Sequence, residues 1–193
     1  YTTLFRSDMP YYLQSGGGIT LSGGECTLQP EFSLGLLRAA KDLGISTAIE
    51  SMAYAKYEVI ETLLPYLDTY LMDIKHMNPE KHKEYTGHDN LRMLENALRV
   101  AHSGQTELII RVPVIPGFNA TEQELLDIAK FADTLPGVRQ IHILPYHNFG
   151  QGKYEGLNRD YPMGDTEKPS NEQMKAFKEM IQKNTSLHCQ IGG

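Results

Sequence analysis

Length, composition and charge narrow the classes of protein to which this sequence can belong. Its 193 residues are enough for one domain with a hydrophobic core, 40% of them are hydrophobic, and the formal net charge is −6. An acidic chain lacks the basic surface typical of nucleic-acid binding, and this one has no apolar run long enough for a membrane helix. We therefore expect a single cytoplasmic domain over residues 1–193.

The two cysteines, Cys26 and Cys189, are too few for a disulfide framework, and neither has a second cysteine at metal-ligand spacing. We expect both to be reduced thiols that pack as small apolar groups. The first residue is Tyr1, and the segment from Tyr1 to Asp8 shows neither a helix start nor strand alternation. We expect no regular element there, and we interpret the sequence as a fragment.

Short apolar runs alternate with amphipathic helical patterns along the rest of the chain. The predicted strands cover residues 18–21, 46–49, 69–72, 108–114, 140–144 and 187–191, and the predicted helices cover residues 28–43, 56–64, 78–85, 90–101, 121–134 and 170–183. Strands this apolar are typical of parallel sheets buried on both faces, so the alternation predicts βαβ crossovers. A part-barrel and an open doubly wound sheet fit the pattern equally well.

Polar residues follow or end several of these strands, and parallel strands bring their carboxyl ends to one edge of a sheet. The candidate site residues are Ser22, Gly23, Gly24, Glu25, Glu50, Ser51, Asp73, Lys75, Arg111 and His147. Each has a structural explanation of its own, such as a tight turn, a helix cap or an ion pair. Their convergence on one edge is more informative than any single member.

The chemistry of this set suits a zwitterionic ligand. Glu25 and the Gly23-Gly24 backbone can receive an ammonium group, and Lys75 and Arg111 can receive a carboxylate. The oxygens of Glu50, Ser51 and Asp73 are suited to a hard cation or to ribose hydroxyls. The same set fits an amino-acid-like substrate and a cofactor equally well.

Five motifs resemble, in order, those of the activating enzymes of glycyl radical enzymes, which belong to the radical S-adenosylmethionine (SAM) superfamily. The segment from Tyr11 to Glu25 resembles the second-strand region of that family, including its Gly-Gly-Glu motif. The remaining motifs are Ala48-Ile49-Glu50-Ser51, Leu71-Met72-Asp73-Ile74-Lys75, Arg111-Val112-Pro113-Val114-Ile115-Pro116-Gly117 and Leu144-Pro145-Tyr146-His147. Together they extend over nearly the whole chain.

The resemblance implies an α/β fold, a partial TIM-type (β/α) radical-SAM barrel that lacks its first strand-helix unit. It implies that Ser22, Gly23, Gly24 and Glu25 hold the methionyl amino group of SAM, and that Lys75, Arg111 and His147 line the cofactor pocket. A monovalent cation is implied at Glu50, Ser51, Leu71 and Asp73. The implied activity is reductive cleavage of SAM to a deoxyadenosyl radical, which abstracts hydrogen from a glycine of a pyruvate formate-lyase-like partner. The implied electron donor is a flavodoxin or ferredoxin.

The sequence departs from the family at the cluster loop, where relatives carry three cysteines that ligate a [4Fe-4S] cluster. No Cys-x-x-x-Cys-x-x-Cys motif is present, and Cys26 alone cannot replace it. We therefore expect that the chain as given binds no cluster and has no radical activity, and that the cluster belongs to a full-length protein.

Two other classes of function stay open on the residues alone. One is a Schiff-base lyase or aldolase barrel with Lys75 as nucleophile and Gly16–Gly18 as a phosphate loop. The other is a non-catalytic module that docks a partner peptide in an open barrel. We also expect the edge of the first strand to be covered by dimerisation or by residues Tyr1–Asp8. Partner choice is expected to lie in the loop-like residues 148–168.

Overall fold

The structure is a computed structural model that describes residues 2–147 and 166–192. Its helices are α1 (Thr2–Ser15), α2 (Pro30–Asp42), α3 (Tyr57–Leu63), α4 (Pro79–Thr86), α5 (Leu91–Ser103), α6 (Glu122–Thr134) and α7 (Asn171–Asn184). Its strands are β1 (Gly18–Leu21), β2 (Ser46–Ser51), β3 (Thr69–Asp73), β4 (Glu107–Val114), β5 (Gln140–Pro145) and β6 (His188–Ile191). Single 3₁₀ turns lie at Cys26–Leu28 and Leu64–Tyr66.

The six strands form one parallel sheet in the order β1-β2-β3-β4-β5-β6. A doubly wound sheet reverses its strand order at a switch point, whereas the wall of a (β/α) barrel does not. The order therefore confirms the expected part-barrel and excludes the open doubly wound sheet. Within the described residues, β1 pairs only with β2 and β6 only with β5.

The hydrophobic core lies between one face of this sheet and the helices. Alternate residues of a strand face opposite sides of the sheet. The residues of β3 and β4 that face the helices are completely buried, and they include Tyr70, Met72, Ile110 and Val112. The other face, here called the inner face, carries Glu50, Leu71, Asp73, Arg111 and His142. The strands thus separate a helix-covered core from a surface that can receive a ligand.

Three of the predicted helix starts are confirmed by capping contacts. The Asn78 side chain accepts hydrogen bonds from the first turn of α4, and that of Thr121 accepts one from the Glu124 amide of α6. Ser170 forms a capping box with Gln173 at the start of α7. No helix among the described residues has the length and apolar composition needed to cross a membrane.

Several boundaries differ from the sequence-based predictions by one or two residues, and three differences concern the start of the chain or the candidate site. The expectation of no regular element near the start is wrong, since α1 covers residues 2–15 with Pro10 inside it. Its mixed polar and apolar residues give no clear stripe, which is why the pattern did not predict it. The second helix begins at Pro30, not Leu28, because Cys26–Leu28 is a separate 3₁₀ turn. Finally, β2 and β3 extend through Ser51 and Asp73, so these residues end strands and do not follow them.

The first strand approaches the second unusually closely at Gly18, which pairs with Ser46. A Cβ built on Gly18 would lie 1.9 Å from the Ser46 carbonyl oxygen, so no side chain fits there. Helix α1 contacts α2, and residues 2–8 are its first half. Coverage of the β1 edge by a second copy stays a prediction, and most of the loop-like segment, residues 148–165, lies outside the described residues.

Candidate functional site

The register of the sheet brings several of the predicted site residues to one level of the inner face. Asp73 of β3 pairs with Arg111 of β4, which in turn pairs with His142 of β5. Glu50 of β2 pairs with Leu71, which precedes Asp73 by two residues on β3, so Glu50 lies slightly nearer the amino ends of the strands. Charged groups from three neighbouring strands therefore share a small part of the inner face, as the convergence of strand ends predicts.

The loop after β1 depends on two glycines and one carboxylate. Gly23 and Gly24 have φ values of +86° and +60°, a region that residues with a side chain rarely adopt. The Glu25 Oε1 atom accepts hydrogen bonds from the Thr27 amide (3.1 Å), the Thr27 hydroxyl (2.7 Å) and the Ser51 hydroxyl (2.7 Å). Its Oε2 atom accepts one from the Met52 amide at 3.1 Å. Glu25 thus joins the loops after β1 and β2, and Oε2 retains capacity for one more donor such as an ammonium group.

The loop after β2 is held by buried side chains. The Ser51 hydroxyl donates to Glu25 and accepts from the Ala53 amide (3.0 Å) and from the hydroxyl of the buried Tyr70 (3.3 Å). Ala53 has a φ of +57° and is completely buried. Asn96 of α5 donates to the carbonyls of Ala53 (2.7 Å) and Ala55 (2.9 Å), which holds the chain in this strained conformation.

Arg111 and Glu50 form an ion pair on the inner face. Arg111 Nη1 lies 3.0 Å from Glu50 Oε2, and the same oxygen accepts a hydrogen bond from the Ser22 hydroxyl at 3.1 Å. Ser22 from the loop after β1 and Arg111 of β4 therefore meet at one carboxylate oxygen of Glu50 in β2. The sequence indicated that Arg111 could receive the carboxylate of a ligand. In the structure its guanidinium is already paired with a carboxylate of the chain, that of Glu50.

Asp73 and Lys75 form a second ion pair, with 3.3 Å between Oδ2 and Nζ. The backbone around Lys75 is fixed by the fully buried Asn119, whose Nδ2 donates to the carbonyls of Lys75 and Pro113, both at 2.7 Å. Asn119 Oδ1 accepts from the Ile115 amide at 2.7 Å. The side-chain amide of Asn119 therefore links the backbone at the ends of β3 and β4 and fixes the backbone position from which the Lys75 side chain extends.

Several buried polar atoms at this level have no hydrogen-bond partner among the described residues. They are Asp73 Oδ1, Arg111 Nε and both ring nitrogens of His142. Buried polar atoms are nearly always paired in folded proteins, so a group of orphans on three adjacent strands indicates a place where a ligand completes the bonding. We call Asp73, Arg111 and His142 the unpaired row.

His142 is the site residue that the sequence analysis missed. It is 8% exposed, and burial together with the charge of Arg111 and the nearby His188 lowers its pKa, so the ring is neutral at pH 7. A neutral imidazole offers one donor and one acceptor. Its alternation with Ile141 and Ile143 in the predicted strand indicates that it faces away from those two residues, but only the register shows that it shares a face with Arg111.

The other predicted residues are less closely grouped. His147 is exposed and lies two residues beyond β5. In the predicted cation set, Glu50, Leu71 and Asp73 share the inner face, whereas the Ser51 hydroxyl points to the buried side and bonds with Tyr70. No group of three or more His, Cys, Asp or Glu side chains arranged to hold a metal occurs in the part of the chain that the structure describes.

Both cysteines are free, as expected, and Cys189 is completely buried. Cys26 is partly buried beside Glu25, with 3.9 Å between Sγ and Oε1. Burial and the neighbouring Glu25 carboxylate raise the pKa of the Cys26 thiol to about 12. A thiol that stays protonated at neutral pH is a poor metal ligand and a poor nucleophile.

The fold is that of a radical SAM part-barrel. A crystallised domain of pyruvate-formate lyase-activating enzyme from Bacteroides vulgatus aligns with 92% of this chain and 99% of its own, with a TM-score of 0.76 and 28% identity. The model of the Radical SAM superfamily matches residues 12–132. The chain therefore belongs to the radical SAM superfamily, and its relatives there are activating enzymes of glycyl radical enzymes.

Several similar proteins indicate this group. The isethionate sulfite-lyase activating enzyme of Desulfovibrio desulfuricans is 43% identical over 161 residues, which is 83% of this chain and 51% of that protein. The choline trimethylamine-lyase activating enzyme of Oleidesulfovibrio alaskensis is 39% identical over 163 residues, 83% of this chain and 52% of its own. The pyruvate formate-lyase-activating enzyme of Clostridium pasteurianum is 34% identical over 172 residues, which is 89% of this chain and 71% of that protein. The chain spans about half the length of the first two.

The superfamily uses SAM and a [4Fe-4S] cluster, and the residues of this chain fit the two groups differently. The unpaired row, the glycine loop and the spare capacity of Glu25 Oε2 offer donors and acceptors of the kinds that a zwitterionic nucleoside needs. The cluster does not fit, because the chain has only two cysteines and both thiols have raised pKa values owing to burial.

Proposed function

We propose that this chain is the SAM-binding part of an activating enzyme for a glycyl radical enzyme. The observation that carries the proposal is the unpaired row, which lies on the inner face beside the Glu50–Arg111 ion pair. When bound beside a reduced cluster, SAM supplies a one-electron bond cleavage that begins hydrogen abstraction from a glycine. The chain's own contribution is to bind and orient that molecule.

Each proposed role follows from the donors and acceptors of the side chain. The Gly23-Gly24 backbone and Glu25 Oε2 receive the ammonium group of SAM, while Asp73 Oδ1 accepts from a hydroxyl or ammonium. Arg111 Nε and the ring N–H of His142 donate to ligand acceptors. Lys75, Ser22 and His147 complete the pocket, and a monovalent cation at Glu50, Leu71 and Asp73 belongs to the same proposal.

The two alternative functions have less support. A Schiff-base lysine needs an uncharged amine, which a carboxylate partner disfavours, and Lys75 is ion-paired with Asp73. Gly16–Gly18 lead into β1 at the opposite end from the polar groups, so they cannot cradle a phosphate at this site. A purely structural docking module gives no reason for unpaired polar atoms on three strands.

The identity of the partner is the finer part of the proposal. Relatives of similar identity activate different lyases and dehydratases, so a pyruvate formate-lyase-like partner is one candidate among several. An electron donor such as flavodoxin or ferredoxin, a cytoplasmic location, a dimer through the β1 edge and a single domain over residues 1–193 stay predictions.

SAM binding to this chain can be measured without the cluster. SAM labelled with ¹³C at its S-methyl group should show saturable changes in its NMR signal at millimolar concentration. Replacing Arg111 by Met removes a charge-assisted donor and should weaken binding about tenfold or more, whereas Glu95→Ala on the exposed side of α5 should not. Equal affinity for both variants, or no saturation at all, would refute the proposed site.

Cluster binding provides a separate check. We expect anaerobic reconstitution of this chain with iron and sulfide to give no stoichiometric four-iron absorbance. A stoichiometric signal would show that ligands other than a three-cysteine loop suffice, and the division between the SAM part and the cluster part would then be wrong.

A further inference from the structure

The backbone that follows β3 has no regular secondary structure, and buried side chains from distant parts of the chain hold it in place. Asn119 donates to the carbonyl of Lys75 at 2.7 Å. The buried Asn90 donates through Nδ2 to the carbonyls of His76 and Met77. The position of Lys75 therefore depends on contacts made across the fold and not on a helix or strand of its own.

Glu124 of α6 contacts the same stretch of backbone. It lies three residues after the N-cap Thr121, a position from which a glutamate ordinarily bonds back to the N-cap amide. Here the Thr121 amide donates instead to the carbonyl of Asn119 at 2.8 Å. The Oε1 atom of Glu124 accepts from the Met77 amide and lies 2.9 Å from Nδ1 of His76. The carboxylate thus serves the segment after β3 and not its own helix.

Both side chains of the His76–Glu124 pair are largely buried, at 3% and 13% exposed. Burial lowers the pKa of His76 and raises that of Glu124, because it removes water from the charged form of each group. An apolar pair of similar volume would avoid this cost. The pair is therefore better explained by the backbone conformation that it fixes than by a gain in stability.

We propose that Glu124 is a positioning residue that sets the place of Lys75 in the cofactor site. It holds the His76 ring and the Met77 amide, and so fixes the backbone from which the Lys75 side chain reaches Asp73. Lys75 Nζ lies 3.3 Å from Asp73 Oδ2. A shift of this backbone moves the ammonium away from Asp73 and from a bound ligand. The inference rests on the proposed function in one respect, that Lys75 contacts SAM.

The bond between Glu124 and His76 is tested through the tautomer of the imidazole. The ring is neutral at about pH 8, and a carboxylate can only accept, so the ring proton lies on Nδ1. In Glu124→Leu that acceptor is absent, and the Asn78 amide, 3.0 Å from the same nitrogen, donates to an unprotonated Nδ1. Nitrogen-15 NMR of the histidine rings should show Nδ1–H in the unaltered chain and Nε2–H in Glu124→Leu. An Nε2–H ring in the unaltered chain would overturn the proposal.

The effect on Lys75 is measured without SAM. In protein labelled with ¹³C and ¹⁵N in its lysines, the Lys75 side-chain signal is assigned by its loss in Lys75→Arg. Glu124→Leu should move this signal towards its position in Asp73→Asn, where the ion pair is absent. Glu124→Gln should leave it in place, because the amide oxygen accepts the same two bonds. The matched control is Glu122→Leu, an exposed residue in the same helical turn. An unmoved Lys75 signal in folded Glu124→Leu would refute the positioning role.

A second variant keeps the test decisive if Glu124→Leu does not fold. His76→Phe retains a ring beside Phe118, whose centroid lies 5.1 Å from that of His76, but cannot donate to Glu124. Urea unfolding checks that each variant folds. The Lys75 signal should move in folded His76→Phe as well, and an unmoved signal there counts against the pair.

The consequence for the cofactor site is measured with a double-mutant cycle in SAM binding. Glu124→Leu should weaken binding about fivefold or more, and should have no further effect in a Lys75→Met background, because it acts through Lys75. Additive losses would show that Glu124 affects the site by another route, and the proposal would be wrong. If the Lys75 signal moves but the unaltered chain does not bind SAM, the proposed function is wrong and the positioning role stands. If SAM binds and the Lys75 signal does not move, the reverse holds.

Discussion

The loops after β1 and β2 differ sharply from the unpaired row on β3, β4 and β5. In the loops, Glu25 accepts four hydrogen bonds from N–H and O–H groups and Asn96 donates two, so the polar groups satisfy one another. In the row, Asp73, Arg111 and His142 all have buried atoms without a partner. The two regions lie at the same end of the sheet, yet the polar groups of the loops are bonded within the chain, whereas the row keeps buried atoms without a partner beside its two ion pairs.

This difference separates two tasks. Paired polar groups fix the backbone and contribute to the stability of the fold, whereas unpaired buried groups cost stability and are retained where a ligand uses them. We therefore expect substitutions in the loops to reduce the free energy of unfolding. Replacing His142, whose ring nitrogens have no hydrogen-bond partner among the described residues, should leave it unchanged or raise it, and substitutions throughout the unpaired row should weaken ligand binding.

The largest effect is expected for Glu25→Ala. The change leaves the Thr27 and Ser51 hydroxyls and two amides without their acceptor, at a cost of about 3 kcal/mol of unfolding free energy. Urea denaturation measures it, with Glu95→Ala on the exposed side of α5 as the control that should change by about 0.5 kcal/mol or less. A loss no larger than that of the control would contradict the comparison.

Asn96→Leu should cost about 2 kcal/mol, because the carbonyls of Ala53 and Ala55 lose their donors. Since Asn96 holds Ala53 at a φ of +57°, the loss should be smaller in a background of Ala53→Gly, where that conformation is unstrained. A double-mutant cycle in urea measures the coupling. Strict additivity would show that Asn96 stabilises the loop independently of the Ala53 conformation.

His142→Leu should have the opposite sign. Removing two unpaired ring nitrogens from a buried position should raise the free energy of unfolding by about 1 kcal/mol at neutral pH, while SAM binding weakens. Urea denaturation and the labelled-SAM titration measure the two effects on the same sample. A variant that is less stable but binds SAM normally would assign His142 to the scaffold.

The smallest effect is on pH dependence. Burial lowers the pKa values of His76, His82 and His142 below the ordinary 6.5, so the unfolded chain binds protons that the folded chain does not. The contribution of these histidines to the free energy of unfolding should be fully present above pH 6.5 and should decrease as the pH drops below that value. Burial raises the pKa of Glu124 above its ordinary value of 4.5. Just above pH 4.5 the folded chain therefore binds more protons at Glu124 than the unfolded chain does, so this group makes the free energy of unfolding fall as the pH rises.

Unfolding free energies at neutral pH and at about pH 5.5 measure this slope. His142→Gln should reduce it, whereas the same change at the exposed His102 should not. A slope that is unchanged in His142→Gln would mean that this ring takes up its proton equally in both states.

The strands and most helices were predictable because each apolar run is bounded by local signals. Asn78, Thr121 and Ser170 cap their helices as their sequence contexts indicated, and the parallel order follows from strand–helix alternation. Helix α1 was not predictable in this way, because it has no continuous apolar face. Its assignment depends on packing against α2, which a single sequence does not show.

The site was predictable as a set of residues but not as a set of contacts. The strand ends indicated Glu50 and Arg111 separately, whereas their ion pair depends on side chains from two strands that are not neighbours. Likewise, the bonding of Glu25 to Ser51 depends on how two loops approach each other. His142 was missed because a histidine inside an apolar strand becomes informative only once the register puts it beside Arg111.

The close approach at Gly18 has a consequence for how the sheet assembles. Glycine-rich strands specify their pairing weakly, and three glycines precede Ile19. If β1 slid so that Ile19 took the place of Gly18, its Cβ would collide with the Ser46 carbonyl. A slide the other way by one residue would turn Leu21 from the core to the inner face. Slides of this strand by one residue in either direction are therefore disfavoured, which helps to fix the position of the Gly-Gly-Glu loop at the end of the strand.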